Sequence, residues 1–490
     1  MFERTMRLEN GKKLFWIELT ILCLYVAVSM AAMKLLGRYS VFVILTLPLL
    51  PFLGYFFFID CTYLILGYLA LLPLIQHFSG SAVSIGDFAI TPHMIIQFLL
   101  LLAALRSFLA TYDGRALWRL NAFDKTLMAF VLFTFFSLIF PYSLPVNHEK
   151  RWLLFYTGIF ETVSFYYILV YLAARKENFT DKILLALVLT SFSSAIAAIP
   201  ELSEAGFTPL NIFVARMRIG FGYHNTNLFG IQSAVMFPIV FYTMVNPRFR
   251  QYRAISFLSF FLLSLLSLLC FNRGTFIVMA VEVFLLYFIP RNKKAVHWFL
   301  AAILAAAVYF NRYLIFYLYR FFGAATGNNS PLLDPSALYR LEAWKVGLKI
   351  LYLYPFGVGG GGFQYEWQIH GPMPTLFLGT PHELFLSIGD DYGVLTMLSF
   401  MAMLVIAFVY AFKLSKADAT KEHAEFFKYA MVSIIGFVVY GLLTDGELSH
   451  LTGSIFPNNG YTLILFTLFA LITTHASRNF LKAPNVSPSS

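Results

Sequence analysis

The chain has 490 residues, 59% of them hydrophobic, 18% aromatic and only 12% charged, with a formal net charge of +10. Such a balance excludes a soluble globular protein. It also excludes a disulfide-built or zinc-built fold, because Cys23, Cys61 and Cys270 all lie in or beside apolar segments. The positive excess is scattered over loops between apolar runs, which suits a membrane protein orienting itself and argues against nucleic-acid binding.

A membrane-crossing helix needs about 20 apolar residues. Taken along the chain, candidate windows lie near 14–36, 41–59, 62–77, 94–111, 124–141, 153–173, 183–200, 225–245, 254–271, 274–290, 296–320, 381–412, 425–445 and 458–475. The first is too long, and lacks the small-residue cleavage site, for a removable signal peptide, so it reads as an anchor. The third is short, and the interruption at Asp60 and Cys61 reads either as a tight hairpin or as one broken segment. Glu161 falls inside an apolar window, where a carboxylate is costly and often functional. Lipid-facing chain must pair its backbone internally, so the spans are helices. The fold class expected is an all-α polytopic integral membrane protein with about 12–14 transmembrane helices.

Alternating the loops from the N-terminus gathers the basic clusters on one side. They are Arg4, Arg7, Lys12 and Lys13; Arg115, Arg119 and Lys125; Arg175, Lys176 and Lys182; Arg248, Arg250 and Arg253; Arg291, Lys293 and Lys294; Lys413, Lys416 and Lys421; Arg478 and Lys482. That side is assigned to the cytoplasm, with both termini on it. Arg216, Arg218, Arg273 and Arg340 fall on the other side, against the charge rule. They point to an anionic, phosphate-bearing substrate outside the cytoplasm.

Segments 142–152, 201–224 and 321–380 face outward, and a loop of such length as the last is usually functional. Within it, Asp334-Pro335 predicts a helix start, and a short amphipathic helix over 336–352 should follow. Leu341, Trp344, Leu348 and Leu351 make its apolar stripe, with Glu342, Lys345 and Lys349 on the other side and Arg340 at the stripe's edge. That pattern suits a helix on the membrane surface or on the bundle. The glycine run from Pro355 to Phe363 reads either as an anion-binding nest or as a flexible turn. No Lys-Ser/Thr follows it, so ATP binding is rejected.

Three stretches carry the chain's motifs: Arg216-Met-Arg-Ile-Gly-Phe-Gly-Tyr-His-Asn-Thr-Asn-Leu-Phe-Gly230; Phe271-Asn-Arg-Gly-Thr275; and Tyr339-Arg-Leu-Glu-Ala-Trp344, continuing to Pro381-His-Glu-Leu-Phe385 and Asp391-Tyr-Gly-Val-Leu-Thr396. In this order they resemble the O-antigen ligase and polymerase superfamily of bacterial envelope glycosyltransferases, over roughly residues 210–415. His382, Gly393 and Thr396 keep that family's histidine-to-glycine spacing. Glu383 departs from the Asn, Ser or Gln usual after the histidine, and Trp344 from the Leu often found near the loop arginine.

The resemblance implies the lipid-substrate glycosyltransferase architecture, and glycan transfer outside the cytoplasm of a bacterial inner (plasma) membrane. A polyprenyl-diphosphate-linked glycan would be the donor, and a glycan or lipid-linked hydroxyl the acceptor. No metal, cofactor or nucleotide sugar would take part. Ligase and polymerase differ only in the acceptor, lipopolysaccharide core or another repeat unit, and the sequence leaves both open. Arg273 and Arg340 are the choice to hold the diphosphate, since guanidinium groups make paired bonds to phosphate oxygens. His382 is the choice for proton acceptor. Arg216, Arg218, Asn225, Asn227 and Gly393 are assigned to substrate binding. The chain then divides into N-terminal spans (1–200), a ligase-like catalytic region (201–415) containing loop 321–380, and C-terminal spans with a cytoplasmic tail (416–490). A lipid-linked oligosaccharide flippase or polysaccharide exporter is the alternative, but a flippase should show two related halves and none is found.

Overall fold

The computed structural model describes residues 61–77, 83–85, 88–90, 100, 102, 121–139, 159–176, 178–206, 220–223, 226–270, 272–289, 297, 335–359, 362–372, 381, 383–417, 421–444 and 460–480. The windows at 14–36, 41–59 and 296–320, nearly all of 94–111, and both termini lie outside them. The described elements are α1 (Cys61–His77), β1 (Val83–Ile85), β2 (Phe88–Ile90), α2 (Ala122–Ile139), α3 (Glu161–Arg175), α4 (Phe179–Ala205), α5 (Thr226–Val245), a 3-10 turn (Pro247–Tyr252), α6 (Arg253–Leu269), α7 (Arg273–Tyr287), α8 (Pro335–Leu353), α9 (Phe363–His370), α10 (Leu384–Tyr392), α11 (Val394–Lys416), α12 (Lys421–Leu443) and α13 (Gly460–Phe480).

Six of these, α2, α4, α5, α6, α11 and α12, are long and apolar enough to cross a membrane, and α1 and α13 are shorter apolar helices. The chain is an all-helical, multi-pass membrane protein. Among the described residues the one departure from helix is the small antiparallel hairpin that pairs Val83 with Ile90 and Ile85 with Phe88. The window at 381–412 is not one span. Gly393, at φ 94° and ψ 162°, divides it into α10 and α11.

α5 sits at the centre and packs on α4, α6, α7, α12 and α13. Helices in lipid associate through close packing of small residues, because lipid tails are as apolar as the side chains themselves. Gly230 of α5 provides such a site: a Cβ there would collide with the Tyr440 hydroxyl of α12 and come within 2.5 Å of Thr275 Oγ1 on α7. Farther along α5, Phe237 meets Phe260 of α6 at 4.8 Å between ring centroids. Tyr242 meets Tyr429 of α12 at 5.3 Å.

One end of the bundle holds Arg248, Arg478 and the described residues around them. Arg248 after α5 pairs with Asp181 of α4 at 2.7 Å, Asn246 donates to Glu425 of α12 at 2.7 Å, and Arg478 of α13 donates to the Ala173 carbonyl of α3 at 2.6 Å. The opposite end gathers the starts of α5 and α7, the end of α12, and α8.

Candidate functional site at the far end of the bundle

Asn272 sets the geometry of the Arg273 turn. Its side-chain oxygen caps α7 by accepting from the Gly274 amide at 2.8 Å and the Thr275 amide at 3.4 Å. A cap of this kind is worth about 1 kcal/mol. Its amide nitrogen donates to Asn227 Oδ1 of α5 at 2.5 Å, so one side chain ties two helix starts together. Arg273 follows as the first helical residue, half-buried. The cap already occupies the first amides of α7, so attraction for an anion at this turn rests on the guanidinium.

Arg340 reaches the same end from α8. Its Nη1 donates to the Leu443 carbonyl at the last turn of α12, at 3.0 Å. Helix C-termini expose carbonyls with no partner in the helix and carry partial negative charge, so a guanidinium is a favourable cap. A guanidinium has five N–H donors, and this contact uses one. Among the described residues no carboxylate pairs with Arg340.

The last turns of α12 are where the pieces meet. A Cβ on Gly274, next to Arg273, would lie 3.4 Å from the Tyr440 ring, and one on Gly441 would lie 3.1 Å from Leu384 of α10. Tyr440, Gly441 and Leu443 therefore gather the Arg273 turn, the start of α10 and Arg340 within one helical turn. His382 lies outside the described residues, as do Arg216, Arg218 and Asn225. The residues on either side of His382 are placed. Pro381 is packed near Gly347 of α8, 3.4 Å from a Cβ built there. Glu383 caps α10, its Oε2 accepting from the Leu386 amide at 2.5 Å. Asn, Ser and Gln are all able to accept from a backbone amide, so the departure at Glu383 keeps a capping acceptor after the histidine. Burial pushes the Glu383 carboxyl up, while its bonds to the Leu386 and Phe385 amides pull it back.

The glycine run is a docking strap. Gly357 N donates to Tyr354 O, Val358 N to Asp390 O at 2.7 Å, Gly359 N to Asp391 O at 2.9 Å, and Val394 N to Pro355 O at 2.9 Å. The Val358 and Gly359 amides are taken by carbonyls at the end of α10, and those of Gly357 and Gly362 by Tyr354 and Gly359, so these four are not open to an anion nest. Gly393 serves the same joint: a Cβ there would sit 2.7 Å from the Phe356 backbone. Part of the 216–230 stretch is anchored too, with the Gly220 and Phe221 amides donating to Glu201 of α4 at 2.9 and 2.7 Å.

Residues 258–401 match the family model described as O-antigen ligase. This part of the chain is similar to the O-antigen ligase family. The similarity supports a membrane glycosyltransferase of the ligase or polymerase type. The matched segment contains Arg273, Arg340, His382 and Gly393, and leaves Arg216, Arg218, Asn225 and Asn227 upstream. The chain has no match among curated proteins.

Several residues in the matched segment and around it carry no sequence signal. Tyr440 and Leu443 belong to an ordinary apolar window and are far in sequence from the residues they meet. Asp390 of α10 is fully buried, and neither carboxylate oxygen has a hydrogen-bond partner among the described residues. It occupies the space a side chain at Gly347 would need, with Oδ2 2.9 Å from a Cβ built there. Burial first, then Asp391 and Glu383, hold its carboxyl well above the usual range. Glu282 of α7 is likewise fully buried, seated where Gly436 of α12 lacks a side chain. Among the described residues no group of three or more His, Cys, Asp or Glu side chains is arranged to hold a metal ion.

Proposed function

We propose that this protein transfers a glycan from a polyprenyl diphosphate to an acceptor hydroxyl on the extracytoplasmic face of the bacterial inner membrane, with both termini in the cytoplasm. The observation that carries this reading is the meeting of the Asn272–Arg273 turn and Arg340 at the last turns of α12, beside the start of α10, at the end of the bundle away from the paired basic clusters. In the reaction the anomeric carbon–oxygen bond to diphosphate breaks and the acceptor oxygen bonds that carbon. Negative charge gathers on the departing diphosphate. Arg273 and Arg340 neutralise it through paired N–H···O contacts, and such preorganised stabilisation is usually the largest catalytic contribution. His382 takes the proton that the acceptor hydroxyl releases. Arg216 and Arg218 capture the donor, and Asn225 and Asn227 line its path. The guanidinium groups supply the positive charge, so no metal is required. The acceptor is either a lipopolysaccharide core or a growing repeat-unit polymer.

The test is transfer from a polyprenyl-diphosphate-linked glycan by protein in membranes, at matched protein level. Arg273→Ala, Arg340→Ala and His382→Ala should each lower the rate roughly a hundred- to thousandfold, and Arg273→Lys should recover little of it. Wild-type activity should persist in EDTA. Near-normal transfer by two of the three alanine variants would return the arginines to a structural role, and loss in EDTA reversed by Mg²⁺ would mean a metal takes part.

A further inference from the structure

α8 presents two opposite apolar faces. Ala343, Val346 and Ile350 are buried in a small cluster with Val358, Phe363 and Trp367. Opposite them, Leu341, Leu348 and Tyr352 follow at i, i+7 and i+11. Leu348 is 59% and Tyr352 86% exposed, and Ile369 on the neighbouring α9 is 70% exposed. Of the predicted stripe, Leu341 and Leu348 are exposed, whereas Leu351 packs against Gly389 of α10. Single exposed apolar residues are ordinary, but a row of them outside the membrane-crossing helices marks a contact surface.

Beyond α10 lies a second exposed apolar surface, on the candidate span α11. Leu351 of α8 lies over Gly389, next to Met397 of α11. Along α11, Leu395, Leu398, Met401, Val405, Val409 and Phe412 are exposed at helical spacing, down the length of a candidate span. Two cations flank the row on the side away from Arg340. Lys345, paired with Glu342 at 2.6 Å, is 70% exposed, and Lys349 lies 3.2 Å from His370. Lysines beside an apolar row lay their stems on it and leave their ammonium groups at the level of lipid headgroups.

We infer that α8 and α9 form a unit seated in the outer face of the bilayer, its row of Leu341, Leu348 and Tyr352 entering the acyl boundary and Lys345 and Lys349 lying among anionic phospholipid headgroups. Arg340, on the opposite flank, is then held at headgroup depth, where the diphosphate of a lipid-linked donor lies. Only that last consequence rests on the proposed function; the seating does not.

The experiment measures depth and involves no glycan transfer. Full-length protein, its three cysteines replaced by serine, carries a nitroxide at position 348, 352, 368 or 398 in nanodiscs of phosphatidylethanolamine and phosphatidylglycerol. Power saturation then compares collision with oxygen and with a water-soluble nickel chelate. Labels at 348 and 352 should favour oxygen severalfold, as at 398 on α11, while 368 favours nickel. Labels at 348 and 352 that behave like 368 overturn the seating. K345Q/K349Q in the same discs, or wild-type protein in phosphatidylcholine alone, should bring label 352 nearer to water. An unchanged depth in both overturns the role given to anionic headgroups.

Discussion

The two ends of the bundle handle charge in opposite ways. At the basic end charged groups are tied across helices: Arg248 to Asp181, Glu425 to the Asn246 amide, and Arg478 to the end of α3. Each contact joins two helices. At the far end the signs are kept apart. Arg340 is held by a backbone carbonyl, Glu383 spends its carboxylate on a helix cap, and Asp390 is buried against a glycine of α8. A salt bridge to Arg340 would stabilise the loop but cancel the potential that an anionic substrate needs. On the proposed function, the paired cations tie the fold and Arg340 is kept for a ligand.

The largest effect that bears on this contrast is sidedness. Gln368→Cys and Arg250→Cys place thiols at exposed positions at the two ends. An impermeant thiol reagent should label the first on intact cells and the second only after permeabilisation. The reverse pattern would exchange the roles given to the two ends.

Next is Gly393→Ala. The backbone there lies in a region almost reserved for glycine, where strain is about 1–3 kcal/mol, and the new Cβ would also press on the Phe356 backbone. Since that joint carries the strap between α8 and α10, transfer should fall steeply although Arg273, Arg340 and His382 are intact. Segment 355–380 should become protease-sensitive. A variant with normal transfer and normal protease resistance would make the joint dispensable.

The smallest effect is a pH dependence. Because the Asp390 carboxyl is held above its ordinary value, the folded protein keeps this proton to a higher pH than the unfolded chain. Its contribution is complete below the unfolded value, near pH 4, and is lost as pH rises towards the folded one. Asp390→Asn removes that loss. The thermal midpoint of the variant should match wild type in acid and exceed it increasingly as pH rises, by about 1 kcal/mol in stability. Parallel curves for the two proteins would show that Asp390 is not protonated when folded.

Most of the helical plan could be read from hydropathy, since a span in lipid must be both apolar and helical. What hydropathy misses is backbone geometry. Residues 381–412 form one unbroken apolar window, yet the turn at Gly393 depends on φ, not polarity. In α8 the periodicity identified a helix and left its stripe open to membrane or bundle, while the buried face uses Ala343 and Gly347, which add little to an apolar count. Asn272 and Glu383 precede helical runs, but their capping roles emerge only from the structure. Tyr440 and Leu443 were not, because their importance comes from helices more than a hundred residues away.

Gly436 with Glu282 and Gly347 with Asp390 share one construction: a carboxylate fills the volume that a glycine on the facing helix leaves empty. Neither position is then independent of its partner as the sequence drifts. A side chain at 436 is admissible only with a shorter residue at 282, and the same holds for 347 and 390. Such pairs restrict evolution to coupled steps. They also fix how far α7 can slide along α12, and α8 along α10, which sets the register in which Arg273 and Arg340 arrive at the same end of the molecule.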